Sequence, residues 1–201
     1  MTSNVAITRV RTGKGDKGET TLDSQHYRKY HPLVRFTGTL DVAQAHTDAL
    51  PTMWSDEINP REIAQELLFR IGAAIAGSDQ LIAIAQITEL MELQLVGFTE
   101  GLKPLDSFIR CGDSNAEVHR LRAFIRQAEC AGVYAVDTLE GLSTSKERIE
   151  LLRACCKSLN VMSDWVFSFV WMFSLDSANT IDAKLRWKPW SETKIRSLNS
   201  G

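Results

Sequence analysis

The sequence predicts an all-α fold, a five-helix bundle with a glycine-rich N-terminal loop laid across it. Three observations predict it. Apolar residues recur at helical spacing in five successive segments from Phe36 onward. Pro51, Gly77 and Pro104 fall between those segments. No strand-rich block appears beyond the N-terminus. With 201 residues, 44% of them hydrophobic, the chain is long enough for one domain with a sizeable core.

The elements follow in order. Val5–Val10 has the character of a strand, and Arg11-Thr-Gly-Lys-Gly-Asp-Lys-Gly-Glu-Thr-Thr21 follows it. Glycine lets backbone N–H groups close on an anion, and Lys14 and Lys17 add positive charge. Thr12, Thr20 and Thr21 add hydroxyls. This is the chemistry of a polyphosphate cradle, and it is equally the composition of a solvated loop. Gly13-x-Gly15-x-x-Gly18 matches the dinucleotide-binding spacing, but the stretch from Thr21 to Pro32 has no apolar helical period to supply the required helix. Gly13 and Gly18 also have P-loop spacing, but Glu19 stands where that motif needs lysine. Phe36–Leu50 reads as the first helix. Pro60, with Asn59 as N-cap, starts a second that carries Ile63, Leu67, Ile71, Ala74 and Ile75 on one face. Gly77-Ser78-Asp79 breaks it. A third helix covers about Gln80–Val96, a loop Gly97–Asn115, a fourth helix Ala116–Val136 and a fifth Lys146–Leu175. The chain therefore divides into a loop segment (1–35), a helical bundle (36–176) and a C-terminal tail (177–201) within a single domain.

A net charge of −2 gives no global basic field, which argues against nucleic acid. Cys111, Cys130, Cys155 and Cys156 form no Cys-x-x-Cys pair and read as reduced thiols. The first twenty residues lack the apolar core of a secretory signal. The apolar run Val161–Leu175 is about 15 residues, short of the roughly 20 that span a bilayer, and contains Asp164. It reads as a buried helix. These features together give the expectation of a cytoplasmic protein with no membrane segment.

On the fourth helix His119, Arg122, Arg126 and Glu129 recur at spacings of 3, 4 and 3, which puts them on one face. A solvated charge stripe has the same pattern. The fifth helix is apolar nearly all round, with Val161, Met162, Trp165, Val166, Phe169, Val170 and Phe173, yet carries Asn160 and Asp164 one turn apart. A buried Asp164 would need a cation or N–H donors, and arginines of the fourth helix could serve. A satisfied polar network and a ligand site both meet that need.

These residues together resemble the PduO-type ATP:cob(I)alamin (corrinoid) adenosyltransferases, over about Thr12 to Pro189. The family's opening Thr-x-Thr-Gly-Asp-x-Gly aligns with Thr12-Gly-Lys-Gly-Asp16-Lys-Gly18, and a lysine before its first helix falls on Lys29. Its Gly-Thr-x-Asp-Glu is similar to Gly38-Thr-Leu-Asp41-Val42, and its second-helix signature to Leu67–Ala76. Pro104-Leu-Asp-Ser-Phe108-Ile109 matches the approach to its fourth helix. His-x-x-Arg-x-x-x-Arg-Arg-x-Glu-Arg reads here as His119 to Cys130, with Arg122, Arg126, Gln127 and Glu129 between them. Asn-Arg-Leu-Ser-Asp reads as Asn160-Val-Met-Ser-Asp164, and a terminal Trp-Lys-Pro recurs at Trp187–Pro189.

The resemblance implies an all-α cobalamin adenosyltransferase-like bundle whose residues 1–35 form a nucleotide- and phosphate-binding loop. It implies that Co(I) of a corrinoid attacks the 5′ carbon of ATP and expels triphosphate, giving adenosylcobalamin. Thr12, Gly13, Lys14, Gly15, Asp16, Lys17, Gly18, Lys29, Arg126, Glu129 and Asn160 would bind ATP, with Mg²⁺ on its phosphates. Asp41 and Arg122 would form a buried ion pair on the corrinoid side, with Asp164 nearby and Phe108 beneath the corrin ring. Arg126, Asp41 and Arg122 would be the catalytic set. The implied assembly is a homotrimer with ATP between subunits, served by a reductase and a corrinoid-dependent enzyme. This sequence departs from the pattern at Val42, which replaces a glutamate, at Gln127, Cys130 and Val161, which replace arginines, and at Arg35, which replaces an acid. The Pro-Gly-Gly-Ser loop is reduced to Cys111–Ser114. Lys14, Arg110 and Arg120 are cations that could compensate. The missing arginines admit the alternative of a non-catalytic relative that binds ATP or corrinoid as a sensor, carrier or assembly subunit. A helical interaction protein presenting Trp165, Trp171 and the tail tryptophans is a further alternative.

Overall fold

In the computed structural model Pro32 begins the first helix rather than ending the loop before it. The structure describes residues 13, 15–53, 59–100, 107–109, 111–112, 115–142, 144–174 and 180–182. Helix α1 spans Pro32–Ala45, and the His31 ring accepts a hydrogen bond from the Leu33 N–H at 3.3 Å. Proline suits this position because a first-turn N–H has no helical partner to lose. The apolar period catches only the turn that starts at Phe36, so the expected start was too late. The expected end at Leu50 was also too late: α1 stops at Ala45, and Thr47–Ala49 is a separate 3-10 turn.

Helix α2, Pro60–Ile75, is capped as expected by Asn59, whose side chain accepts from the Glu62 N–H at 3.2 Å. Helix α3 spans Leu81–Thr99, α4 Ala116–Glu140 and α5 Lys146–Ser174. Two short antiparallel pairs lay outside the sequence expectation. Strands β1 (Glu19–Leu22) and β2 (Gln25–Arg28) form a hairpin closed by Asp23 and Ser24, both at positive φ (50° and 58°). That is the two-residue turn whose twist matches the strands. Strand β3 (Ser107–Ile109) pairs with β4 (Thr180–Asp182), so part of the expected tail is a strand.

Contacts fix the helix directions. His46, at the end of α1, stacks on Phe124 of α4 with centroids 4.7 Å apart, and a Cβ on Gly132 of α4 would lie 2.7 Å from Phe36 Cζ. Helices α1 and α4 are therefore antiparallel. The same Cβ would lie 2.8 Å from Cys156 Sγ, and Arg122 lies over the Phe167 ring, so α5 runs antiparallel to α4. Thr88 Oγ1 donates to Ser158 Oγ at 2.7 Å and Trp165 Nε1 to Gln94 Oε1 at 3.0 Å, so α3 runs parallel to α5. Arg148, at the start of α5, donates to the carbonyls of Ala74 and Ile75 at the end of α2, both at 2.5 Å. The five helices alternate up and down, and Trp165, Val166, Phe169 and Val170 of α5 are fully buried among them. This bears out the reading of that stretch as a core helix.

Helix α3 differs. It is long and apolar enough to cross a bilayer by length and composition, with a hydropathy of 1.4, and 22% of that window is buried. Ile82, Leu93 and Val96 are exposed on it.

All four cysteines are free, with Cys111 and Cys130 exposed. Burial pushes the Cys155 thiol up to about 12 and the Cys156 thiol up to about 11. Iodoacetamide at pH 8 should therefore modify Cys111 and Cys130 in the folded protein and spare the buried pair, as peptide mass mapping would show.

At Gly132 the ring of Phe36 and the sulfur of Cys156 are both buried and cannot swing into solvent. Gly132→Val should lower unfolding stability by about 1–3 kcal/mol in urea denaturation, the usual cost of overpacking. An unchanged midpoint would contradict the close three-helix contact.

Candidate functional site

The glycine-rich loop is held by its own backbone. Asp16 N–H donates to Gly13 O and Gly18 N–H to Gly15 O, both at 3.2 Å, and Lys29 N–H donates to Gly18 O at 2.9 Å. Gly18 has a φ of +75°, which favours glycine. A Cβ built on Gly15 would stand 3.2 Å from Lys29 Nζ, so the missing side chain lets the ammonium group lie against the turn. The structure thus brings Lys29 to the loop. Thr12 and Lys14 lie outside the described residues. Lys17 is exposed.

The hairpin that follows the loop docks at one end of the bundle. Asp23 Oδ2 lies 3.8 Å from Arg148 Nη2, and a Cβ on Gly77 (φ +96°) would overlap Asp23. Leu22 and Tyr27 pack on the core. A cavity of about 560 Å³ lies there, lined by Tyr27, His31, Leu139 and Arg148 among others. Leu139 is thirteen residues from Arg126 along α4, about 20 Å at the α-helical rise.

Helix α4 presents the expected stripe. Arg126 is exposed, and His119, Arg122 and Glu129 are half-buried. The Arg122 guanidinium lies 4.8 Å from the centroid of the Phe167 ring, a cation–π contact. Phe167 escaped the sequence reading, although its place one turn after Asp164 was a signal. Burial, and then Arg126, push Arg122 below its ordinary value, and Asp164 opposes them. Arginine starts so high that the group stays charged. Among the described residues neither Arg122 nor Arg126 forms a carboxylate salt bridge. His119 Nε2 and Arg122 Nε are buried without hydrogen-bond partners among those residues. Arg122 at the α4–α5 seam and Arg126 one turn along α4 therefore repel each other, and Asp164 offsets only part of this, so an added anion would relieve the rest.

Asn160 and Asp164 are exposed on α5, on the side that carries Phe167. Asp164 is thus not the buried carboxylate that the apolar helix suggested. Its helix is buried through Met162, Trp165, Val166 and Phe169, and its polar residues share the remaining strip. Asp41 does not pair with Arg122 inside the chain. It is exposed on α1, with no hydrogen bond or ion pair among the described residues. The antiparallel register of α1 and α4 puts it about level with Glu129, two turns from Arg122. Phe108 lies on β3 opposite Ile181, and its side chain is outside the described residues. Of the cations considered as compensating, Arg120 is paired with Glu117 at 2.7 Å, while Lys14 and Arg110 are outside the described residues.

A second depression flanks α4 on its other side. Arg35, Gly38 and Thr39 of α1 face Gln127, Cys130 and Tyr134 of α4 across a groove of about 430 Å³. Arg126 stands on the ridge between seam and groove. Among the described residues no group of three or more His, Cys, Asp or Glu side chains could hold a metal ion.

Burial, and then Arg122, hold His119 below the ordinary histidine value of 6.5, and burial alone lowers His31. Near pH 6 the folded chain therefore binds fewer protons than the unfolded chain, so stability rises with pH. The contribution is complete above 6.5 and is lost as pH falls below it. In a histidine NMR titration both rings should titrate below 6.5. Arg122→Gln should raise His119 part of the way, because burial remains, and leave His31 unmoved.

Comparisons with known proteins accord with this architecture. Residues 10–173 match the family model described as cobalamin adenosyltransferase. Similar solved structures include variants of a PduO-type ATP:corrinoid adenosyltransferase from Lactobacillus reuteri. A phenylalanine-to-histidine variant complexed with cobalamin and ATP is 21% identical, covering 87% of this chain and 99% of that one, with a TM-score of 0.62. A phenylalanine-to-alanine variant with the same ligands is 21% identical over 81% and 91%, with a TM-score of 0.60. An arginine-to-lysine variant complexed with ATP is 20% identical over 80% and 91%, with a TM-score of 0.59. No curated protein matches the chain. At these identities the structural likeness shows the fold, while the family model spans most of the sequence. The chain belongs to the cobalamin adenosyltransferase family.

Proposed function

We propose that this protein transfers the 5′-deoxyadenosyl group of ATP to the Co(I) centre of a corrinoid, giving adenosylcobalamin and triphosphate. The observation that carries the reading is the pair Arg122 and Arg126, one turn apart on α4 and free of salt bridges among the described residues. In the reaction a cobalt–carbon bond forms and the C5′–O bond breaks, with its electron pair leaving on triphosphate. The leaving group carries about four negative charges near neutral pH, and fixed cations are what stabilise such charge as it develops. Arg126, the glycine-rich loop and Lys29 supply them, with Glu129 and Asn160 beside the ridge. Magnesium would arrive on the phosphates, neutralising part of their charge. Arg122, Asp164 and Phe108 would face the corrinoid. The Lactobacillus reuteri relatives were solved with ATP and cobalamin, which supports the same ligands here.

Within one protomer the hairpin docks about 20 Å along α4 from Arg126. The reading therefore calls for a neighbouring copy to bring a loop to each ridge, in a homotrimer, and for Asp41 of one copy to meet Arg122 of another.

A second reading, a non-catalytic binder of ATP or corrinoid, is favoured by Gln127 and Cys130, which line the groove without charge.

The test is anaerobic incubation with cob(I)alamin and Mg-ATP, followed by the spectrum of the cobalt–carbon product. Turnover is expected, and Arg126→Ala should lower kcat about 100-fold or more, as loss of a charge-stabilising donor does. Its melting curve should stay close to wild type, since the side chain is exposed. ATP binding without any product would select the second reading.

A further inference from the structure

We infer that Arg35 is a polyphosphate-binding residue of this protein, supplying from the α1 wall of the α1–α4 groove the guanidinium that the α4 wall lacks. The inference rests on the functional reading above for its ligand and on the groove for its geometry. Among the described residues lining the groove Arg35 is the one cation, and Gln127, Cys130 and Tyr134 opposite are not basic. It is exposed and has no side-chain hydrogen bond or ion pair among the described residues.

Its position is unfavourable for the helix. Arg35 sits in the first turn of α1, at the positive end of the helix dipole, and that turn holds no acidic residue. Helix stability alone would favour an acid here. The volume of about 430 Å³ falls within the range of small-molecule sites. Arg126 stands beside the end of the groove formed by Gln127, and Arg35 lines the other end, opposite Tyr134. A polyphosphate along the groove would therefore pass between cations.

The sequence pattern agrees. Gln127 and Cys130 stand where the resemblance has arginines, and Arg35 where it has an acid. Moving the charge from one wall to the other keeps the groove cationic. Arginine suits the role because its planar fork can grip phosphate oxygens bidentately.

The experiment is calorimetric titration of the full chain with inorganic tripolyphosphate and with Mg-ATP. Arg35→Glu should weaken both at least tenfold, and Arg35→Glu with Gln127→Arg should recover most of the loss. Arg70→Glu, which makes the same charge change on α2, should leave both Kd values within about twofold. Melting temperatures of the Arg35 variants should equal or slightly exceed the wild type, because an acid suits the first turn of α1. If the wild type binds Mg-ATP and Arg35→Glu binds it equally well, the inference falls while the functional reading stands. If tripolyphosphate binding depends on Arg35 but no adenosylation occurs, the reading falls and the inference stands. If the wild type binds neither ligand, both fall.

Discussion

The contact of three helices at Gly132 sets the geometry of everything around it. A residue without a side chain on α4 lets the Phe36 ring from α1 and the Cys156 sulfur from α5 occupy the space a Cβ would need. Helix α4 is thereby clamped along its inner face, with Leu121, Ile125 and Ala128 fully buried. Its outer face is left as a ridge with a depression on each flank. The depth of the α4–α5 seam and of the α1–α4 groove both depend on how closely these helices approach. A larger residue at 132 would push the walls apart before it touched any charged group.

Charge is then distributed over that frame in an unusual way. Elsewhere arginines on the helices are satisfied: Arg70 with Glu66, Arg120 with Glu117, Arg153 with Glu140, and Arg148 on the carbonyls that end α2. Around α4 the pattern reverses. Arg126 and Arg35 have no carboxylate partner among the described residues, and Arg122 rests on an aromatic face with Asp164 near enough to act on it but forming no salt bridge. Like charges one turn apart and a cation at a helix N-terminus each work against folding by a few tenths of a kcal/mol or more. These two placements, which involve three arginines beside one helix, are hard to account for by stability, and an anionic ligand would give them a common cause.

Much of the bundle was legible because its boundaries are written in local chemistry. Pro60 with Asn59, and Gly77 after Ile75, fix α2 to the residue. The hairpin was not legible. Its turn uses Asp23-Ser24 instead of a glycine pair, and its four-residue strands offer only Leu22 and Tyr27 as apolar anchors. Asp164 was misjudged because an apolar helix was taken as buried on every side, whereas Asn160, Asp164 and Phe167 share its open strip. The His119–Glu129 stripe could be read from spacing. The groove at Arg35 could not, since it depends on the register of α1 against α4, which no local pattern encodes.

The two ends of the molecule give the last constraint. Arg148 ties the end of α2, the start of α5 and the Asp23 turn together, which fixes the hairpin at the end of the bundle where α4 finishes. The seam with Arg122 and Phe167 belongs to the other half of α4. A ligand long enough to touch both sets of cations must either run along the groove past Arg35 or be shared between copies of the chain. These routes are compatible. A polyphosphate lying in the groove of one protomer would leave its nucleoside end near the ridge, where a neighbour's loop could close over it. On the proposed reading a site shared between copies would also account for the exposed position of Arg126, whose side chain would face solvent until a second copy covered it.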